Sequence, residues 1–217
     1  MRNSSKNDVT RWKKLVVDVV AIILAAGLSR RMGARNKLLL PVGGVPMIRH
    51  MVMTFAAVMD GPVIVVTGHE ANAIKSSLDG CDIEIAHNPD YADGQQTSVV
   101  CGLRAVPDAR HIMIGLGDQP TLTDQDLRNL IDAHNAADPE RISIPLLNEH
   151  RGNPIIVPGS LRERLLADPR SPGCKTFTRA NPDHVKFHAL ASPGFYTDLD
   201  TPDAYAALTA GASERTQ

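Results

Sequence analysis

The sequence predicts an α/β fold with three layers, in which an open and mostly parallel sheet carries helices on both faces. Two observations predict it: short apolar runs rich in β-branched residues alternate with helical patterns, and polar loops containing glycine follow several of these runs. This alternation is typical of parallel βαβ units. Because ligands of such sheets bind outside the carboxyl ends of the strands, the residues just past each strand are the candidates for function.

The predicted elements follow from local patterns along the chain. Apolar runs predict strands at 19–24, 63–67, 83–86, 111–116, 141–145 and 155–157. Helical patterns predict helices at 47–59, 68–78, 125–135, 160–167 and 174–179, with a turn at 41–46 and a further helix that follows the loop at 94–99 and ends at about 105. Thr123 and Asp124 offer N-caps for the helix at 125, and Thr201 followed by Pro202 is a good helix start.

Length and composition indicate one globular domain. The chain has 217 residues, of which 43% are hydrophobic and 22% charged, so it is long enough for one sizeable core. We assign residues 15–217 to a single domain and expect 1–14 to form a flexible polar extension. Lys13 and Lys14 before an apolar run imitate a signal peptide, but Asp18 interrupts that run.

Charge and cysteine usage narrow the expected partners and location. The net charge of -1 gives no overall reason to expect nucleic acid or a membrane surface as a partner. No stretch reaches the ~20 apolar residues of a membrane span. The three cysteines are widely spaced and form neither a CxxC pair nor a zinc-type cluster. This usage is typical of a reduced, cytoplasmic protein.

The loop after the first strand has the composition of a polyphosphate-binding loop. Its small residues let backbone N–H groups approach a ligand, and glycine tolerates the positive φ that such a loop often needs. The candidate nucleotide-binding residues are Leu24, Ala25, Ala26, Gly27 and Gly33. Arg31 and Lys37 add a planar fork and a mobile charge, which suit a triphosphate. The alternative is a basic surface turn after a core strand.

The same stretch resembles the signature LAAGxSxRMGxxK of the MobA-like nucleotidyltransferases. The matching residues are Leu24, Ala25, Ala26, Gly27, Ser29, Arg31, Met32, Gly33 and Lys37. The resemblance implies the Rossmann-like fold of the nucleotide-diphospho-sugar transferases. It also implies that Arg31 and Lys37 are catalytic residues that neutralise charge on the leaving pyrophosphate.

Asp118 is the leading candidate for both catalysis and metal binding. It follows a buried strand, with Gly117 before it and a Gln-Pro turn after it, so its carboxylate is expected to be fixed. Mg²⁺ prefers a few carboxylates together with phosphate oxygens and water. Helix capping by Asp118 is disfavoured because better caps follow it. The segment also resembles the GDxP element of the family, whose aspartate holds the metal.

A further pair of carboxylates lies near the end of the chain. Asp198 and Asp200 are spaced i and i+2 on an extended segment, so they face the same way. The segment 195–203 resembles the DxDTPED element of the family, which implies that Asp200 is the second metal ligand and that Asp198 supports it. Capping of the following helix is the alternative, and both roles are expected.

The loop at 94–99 is the candidate for reading the nucleobase. Gln95, Gln96 and Ser98 carry groups that donate and accept hydrogen bonds, as recognition of a base edge requires. The competing interpretation is that Thr97 or Ser98 only caps the following helix.

Two segments of the second half resemble the acceptor side of the family. Asn153 lies in the stretch 151–154, which resembles a G[HN]P segment, although a hairpin turn is the favoured explanation of this stretch when it is taken alone. The stretch 168–175 keeps only part of a GDxGAR-like segment, and Lys175 stands where an arginine is usual. The resemblance implies that Asn153 and Lys175 bind the acceptor.

Within the family, LAAG rather than LAGG resembles the molybdenum cofactor cytidylyltransferase branch. That resemblance implies Mg²⁺-dependent transfer of CMP from CTP to the terminal phosphate of molybdenum-molybdopterin, with a molybdoenzyme or its chaperone as a further partner. Three alternatives stay open: GTP as donor, another phosphorylated acceptor such as a sugar phosphate or methylerythritol phosphate, and a non-catalytic escort for the cofactor.

Overall fold

A computed structural model describes residues 17–33, 35–167 and 174–214, with only the backbone described for Val17 and 211–214. The predicted extension at 1–14 and most of the acceptor-side stretch, 168–173, lie outside the described residues. The assignment of 15–217 to one domain stays a prediction.

Strands and helices alternate along the described chain. The strands are β1 (Val17–Ala25), β2 (Pro41–Val42), β3 (Val45–Pro46), β4 (Val63–Thr67), β5 (Glu84–His87), β6 (Ala109–Leu116), β7 (Ile142–Leu147), β8 (His150–Arg151), β9 (Ile155–Pro158) and β10 (Val185–His188). The helices are α1 (Met47–Ala56), α2 (Ala71–Ser77), α3 (Gln95–Ala105), α4 (Asp124–Ala136), α5 (Arg162–Leu166), α6 (Cys174–Ala180) and α7 (Pro202–Glu214).

The main sheet has the strand order β10-β7-β9-β6-β1-β4-β5. Strand β1 lies between β6 and β4 and is parallel to both, while β9 runs antiparallel to its two neighbours. Leu24 pairs with Leu116, and Ala25 pairs with Thr67, so the carboxyl ends of β1, β4 and β6 meet at one edge. This arrangement confirms the predicted mostly parallel α/β sheet.

Helices cover both faces of the sheet. Alternate residues of β1 point to opposite sides, and each side packs against a different set of helices. Ala21 and Ile23 belong to a core cluster that includes buried residues of α1, α2 and α4. Val20 and Ile22 belong to a second cluster with buried residues of α3, α5 and α6. The two clusters establish the three layers.

Several local predictions differ from the structure. Helix α1 ends at Ala56 rather than at 59, and the predicted turn at 41–46 is a small β2–β3 hairpin closed by Gly43 and Gly44, whose φ values are 57° and 84°. Strand β10 was not predicted, because only Val185 of its four residues is buried. The prediction of Thr123 as the cap of α4 is confirmed by a capping box with Asp126.

Among the described residues, no helix combines the length and apolar character needed to cross a membrane.

Candidate active site

The carboxyl ends of β1 and β6 bring together three segments that are far apart in sequence. They are the loop after Leu24, the turn at 117–118 and the stretch 198–200, here called the carboxylate segment. The Gly117 N–H donates to the Leu24 carbonyl at 3.0 Å, and the Leu199 N–H donates to the Asp118 carbonyl at 2.8 Å. These backbone hydrogen bonds fix all three segments at the edge where the βαβ pattern predicts a ligand site.

Lys37 lies between the two carboxylates that were predicted to bind a metal. Its Nζ donates to Asp118 Oδ2 and, at 2.7 Å, to Asp200 Oδ1. Arg31 Nη2 lies 2.7 Å from the other oxygen of Asp200. The Lys37 and Asp118 side chains are only 11% and 17% exposed, whereas Arg31 is 68% exposed. The predicted catalytic and metal-binding side chains therefore form one cluster that is shielded inside and open at Arg31.

Burial and opposite charge act against each other in this cluster. Burial favours the neutral form of Lys37, but the charges and hydrogen bonds of Asp118 and Asp200 outweigh it and raise the Lys37 pKa above 10.5. Burial likewise favours neutral Asp200, yet the Lys37 ammonium, aided by Arg31, lowers the Asp200 pKa below 3.8. Lys37 and Asp200 are therefore both charged at neutral pH.

The signature residues of the first loop hold Lys37 in place. Met32 of the signature and Leu38, which directly follows the signature, are buried and anchor the loop to the core. Ser29 Oγ accepts from the Lys37 N–H at 3.3 Å. Gly33 has a φ of 68°, a left-handed conformation that suits glycine. These positions of the signature serve the shape of the loop, and that shape places the Lys37 ammonium at the carboxylates.

The polar atoms of this cluster fit a divalent cation. Asp118 Oδ1 is buried and has no hydrogen-bond partner in the described part of the chain. A buried carboxylate oxygen without a partner is unfavourable unless a ligand satisfies it. No group of three or more His, Cys, Asp or Glu side chains in the described ranges could hold a metal by itself. An ion bound by Asp118 and Asp200 would complete its shell with phosphate oxygens and water, as Mg²⁺ commonly does.

Comparison with known proteins identifies the family of this chain. The model of the MobA-like NTP transferase domain matches residues 21–185. The chain belongs to the MobA-like NTP transferase family. It is 31% identical over 185 residues to the molybdenum cofactor cytidylyltransferase of Escherichia coli (strain K12), an alignment that covers 85% of this chain and 92% of that protein.

Two further likenesses extend the comparison. The chain is 27% identical over 191 residues to the nicotine blue oxidoreductase of Paenarthrobacter nicotinovorans, which covers 84% of this chain and 92% of that protein. A solved nucleotidyl transferase from Methanothermobacter superposes with a TM-score of 0.77 at 24% identity, covering 92% of this chain and 99% of that one. This structural likeness confirms the predicted nucleotide-diphospho-sugar transferase-like fold.

In this MobA-like transferase, the small residues after β1 serve packing as well as ligand approach. Ala25 and Ala26 are 1% and 4% exposed, whereas Gly27 is exposed. A Cβ added at Gly68 would lie 2.9 Å from the Ala26 Cβ and 2.5 Å from the Tyr91 Cβ. Ala26 therefore packs against the end of β4, and Gly27 is the small residue that opens to solvent.

The loop predicted to read the base is divided between exposed and buried side chains. Gln95 and Gln96 are exposed, and the Gln96 amide donates to the Asp93 carbonyl at 2.7 Å. Ser98 is 3% exposed, and its hydroxyl accepts from Asn88 Nδ2 at 3.0 Å. The structure thus presents the two glutamines on the surface and turns Ser98 inward.

Neither Thr97 nor Ser98 caps α3, although the competing interpretation of this loop predicts that one of them does. The N-cap position is occupied by Gly94, and no side chain caps the helix there. The Thr97 hydroxyl instead donates to the Gly94 or Asp90 carbonyl, each at 2.9 Å, and accepts from Asn88 at 2.8 Å. Thr97 and Ser98 are therefore not N-caps. Sequence reasoning overlooked Asn88, a buried polar residue just past a strand, which holds both hydroxyls.

The predicted acceptor residues lie on two different elements. The Asn153 N–H donates to the Phe195 carbonyl at 2.8 Å, which ties its turn to the chain just before the carboxylate segment. A Cβ added at Gly152 would lie 2.8 Å from that same carbonyl, so the close approach requires glycine. Lys175 is exposed on the first turn of α6. Arg151 bridges the two elements, with its Nη1 3.3 Å from Thr178 Oγ1.

Asp198 lies next to the cluster of Lys37, Asp118 and Asp200, but its hydrogen bond goes to Gln119 rather than to the cations that bind Asp200. Its Oδ1 accepts from Gln119 Nε2 at 3.0 Å. Although the residue is partly open to solvent, desolvation of the carboxylate together with the nearby Asp118 and Asp200 raises the Asp198 pKa above 3.8. The sequence predicts Gln119 only as part of a turn, and the available signal was an amide side chain directly after Asp118 at the end of a strand.

Proposed function

We propose that this protein transfers CMP from CTP to the terminal phosphate of molybdenum-molybdopterin and releases pyrophosphate. One observation carries the proposal: Asp118 and Asp200 converge on Lys37 beside the loop that follows β1. A pair of shielded carboxylates next to a lysine and an exposed arginine suits a metal-bound polyphosphate. The 31% identity to a molybdenum cofactor cytidylyltransferase supports the choice of donor and acceptor.

The proposed bond changes are those of a phosphoryl substitution. An oxygen of the acceptor phosphate forms a bond to the α-phosphorus of CTP while the bond from that phosphorus to the bridging oxygen breaks. Pyrophosphate leaves with the bridging oxygen. Because the acceptor phosphate is already anionic at neutral pH, the reaction needs no general base. The protein then contributes alignment and charge neutralisation.

The residues of the cluster divide this work. Mg²⁺ held by Asp118 and Asp200 would neutralise charge on the phosphates of the nucleotide. The Lys37 ammonium is placed to reach the same phosphates, and its shielded position strengthens the attraction. Arg31 stands at the open side, where its guanidinium offers a bidentate contact to the leaving pyrophosphate.

The proposed substrate contacts use the residues nearest this cluster. Backbone groups of the loop from Leu24 to Gly27, with Gly33, hold the nucleotide, and the exposed Gln95 and Gln96 contact the cytosine. Ser98 contributes through its hydrogen bond to Asn88. Asn153 and Lys175 form the acceptor side. We place the reaction in the cytoplasm, with a molybdoenzyme or its chaperone receiving the product.

Competing functions differ in their donor, their acceptor or their chemistry. GTP, a sugar phosphate or methylerythritol phosphate would keep the same mechanism. A cofactor escort would need no metal-polyphosphate site, so the cluster of Lys37, Asp118 and Asp200 argues against that alternative. The chain is also 27% identical to a protein named nicotine blue oxidoreductase, so sequence similarity at this level does not by itself fix the reaction.

The test is pyrophosphate release by the purified protein with Mg²⁺ and molybdenum-molybdopterin, in parallel reactions with CTP, GTP and ATP. Release that requires CTP and the acceptor supports the proposal. Release with GTP alone would replace the donor and keep the mechanism. No release with any nucleotide, when methylerythritol phosphate and sugar phosphates are also supplied, would refute transferase function and favour an escort or a different reaction.

A further inference from the structure

One buried amide, the side chain of Gln119, connects the segments that form the site. Gln119 is 0% exposed and directly follows Asp118. Its Nε2 donates to Asp198 Oδ1 at 3.0 Å and to the Phe195 carbonyl at 3.2 Å. The same carbonyl accepts from the Asn153 N–H at 2.8 Å. The amide, which directly follows the turn at 117–118, therefore connects that turn with the carboxylate segment and, through the Phe195 carbonyl, with the turn that contains Asn153.

The partners of this amide determine its orientation. Both contacted atoms are acceptors, one carbonyl and one carboxylate oxygen, so only the NH₂ end of Gln119 can face them. The opposite end, Oε1, is buried and has no hydrogen-bond partner among the residues that the structure describes. The hydrogen bonding of the amide is thus directed at the carboxylate segment and at Phe195, three residues before that segment.

Other contacts hold the same region at different points. The Leu199 N–H bonds to the Asp118 carbonyl, and a Cβ added at Gly194 would lie 2.8 Å from Leu122 Cα. Within the described ranges, the bond from Gln119 is the hydrogen bond that reaches the Asp198 side chain. Because Asp200 lies two residues further on, its position opposite Asp118 depends on the path that this region takes.

We propose that Gln119 is a positioning residue for the metal site: by holding Asp198 and the Phe195 carbonyl, it sets Asp200 at the separation from Asp118 that a divalent ion requires. The inference rests on the proposed function, since it concerns the same metal and nucleotide. Groups that orient metal ligands from outside the coordination shell change metal affinity or activity roughly 10- to 100-fold when they are removed. Loss of the Gln119 amide should therefore weaken metal binding.

The test measures Mn²⁺ binding by electron paramagnetic resonance with CTP present and no acceptor, since Mn²⁺ shares the oxygen ligands of Mg²⁺. Gln119→Met keeps the length of the side chain and removes both hydrogen bonds, and we expect the Kd for Mn²⁺ to rise roughly 10- to 100-fold. We also expect pyrophosphate release by this variant to recover at high Mg²⁺. An unchanged Mn²⁺ affinity in folded Gln119→Met overturns the inference, even if the protein melts at a lower temperature.

Gln125→Met is the matched control. Gln125 is an exposed amide on α4 whose Nε2 bonds to Asn129 Oδ1 at 3.0 Å, so the same substitution removes a hydrogen bond away from the site. We expect its Mn²⁺ affinity to equal that of the wild-type protein. A loss as large as that of Gln119→Met would overturn the inference, because the effect would then not depend on position 119.

A second variant keeps the inference testable if Gln119→Met does not fold. Asp198→Ala removes the same hydrogen bond from the exposed partner, and it should weaken Mn²⁺ binding in the same direction. Wild-type affinity in Asp198→Ala would overturn the inference. If all variants fold, the double variant Gln119→Met with Asp198→Ala should have about the same Kd for Mn²⁺ as the single variant that binds Mn²⁺ less tightly. Fully additive losses of binding free energy would show that the two residues act independently of each other.

The wild-type protein separates failure of this inference from failure of the proposed function. If it neither binds Mn²⁺ with CTP nor releases pyrophosphate, the proposed function fails and the inference falls with it. If it does both and Gln119→Met matches it in Mn²⁺ affinity, only the positioning role of Gln119 is refuted.

Discussion

Lys37 and Asp200 are 163 positions apart in the sequence, and the Lys37 ammonium donates a 2.7 Å hydrogen bond to the Asp200 carboxylate. The same ammonium contacts Asp118, which lies 81 positions away. Three segments of the chain therefore meet at one charged group. The parallel pairing of β1 with β6 makes this meeting possible, because it places the ends of both strands side by side.

Asp118→Asn should abolish turnover while leaving the protein folded. The substitution keeps the shape of the side chain but removes the charge that we assign to metal binding, so we expect kcat to fall by at least about 10², the scale for losing one strong electrostatic contact. Pyrophosphate release measures this, and circular dichroism monitors folding. Asp132→Asn, on the exposed side of α4, is the control. Near-normal activity of Asp118→Asn with Mg²⁺ would show that the metal assignment is wrong.

Lys37→Ala should slow the chemical step by a factor of roughly 10² to 10³. The Lys37 side chain is only 11% exposed, and its charge lies at the site that we assign to the phosphates. Single-turnover release of pyrophosphate isolates this step, and Lys75→Ala on the surface of α2 is the matched control. A wild-type rate for Lys37→Ala would exclude a contribution to the transition state.

Ala26→Gly should change the preference for CTP over GTP. The Ala26 methyl group packs close to Gly68, so its removal loosens the loop that we expect to hold the nucleotide. The ratio of kcat/KM for the two nucleotides is the measurement, with Ala73→Gly on the exposed face of α2 as the control. An unaltered ratio would mean that the small residues of this loop do not select the base.

The protein should become less stable as the pH decreases, because one buried histidine resists protonation in the folded state. His134 is 1% exposed, and its ring nitrogens lie 2.7 Å from Ser143 Oγ and 3.0 Å from His111 Nδ1. Burial, reinforced by His111 and then His188, lowers the His134 pKa from 6.5 to about 4. Because the folded pKa lies below the unfolded one, the unfolded chain takes up the proton first, and stability present above pH 6.5 is lost as the pH falls towards about 4.

Between pH 6.5 and about 4, His134 should lower the free energy of unfolding by about 3 kcal/mol. Urea unfolding at a series of pH values between 7.5 and 4.5, at about half-unit steps, would measure it. Burial also lowers the pKa values of His111 and His188, so their contributions have the same sign. His134→Asn should flatten the pH dependence, whereas His87→Asn at an exposed site should not. An equally steep dependence in His134→Asn would assign the effect to other groups.

The fold class was predictable because buried parallel strands consist of continuous apolar runs. All residues of β4 are buried, and β1 is buried from Val19 onwards, which matches the short apolar runs rich in β-branched residues that predict buried strands. Strand β10 was missed because Phe187 is 38% exposed and the strand lies at an edge of the sheet. The antiparallel direction of β9 also carried no local signal, since strand direction depends on the pairing partner.

The candidate site was predictable to the extent that it lies in short motifs. Arg31, Lys37, Asp118 and Asp200 were each selected from the sequence, and the structure brings their side chains into one cluster. The inward turn of Ser98 and the buried bonds of Asn88 were not visible, because burial depends on packing between elements. The contact between Asn153 and Phe195 joins two loops, and no spacing along the chain encodes it.

The sequence by itself determined the main strands and helices, the edge of the sheet at which a ligand site is expected and the chemistry of the charged residues. It could do so because periodicity and side-chain chemistry are local properties. Only the tertiary structure decided that Lys37 lies between Asp118 and Asp200 and that Gln119 faces Asp198. Those contacts span at least 79 positions, so strand order and loop packing, rather than local sequence, determine which charges meet.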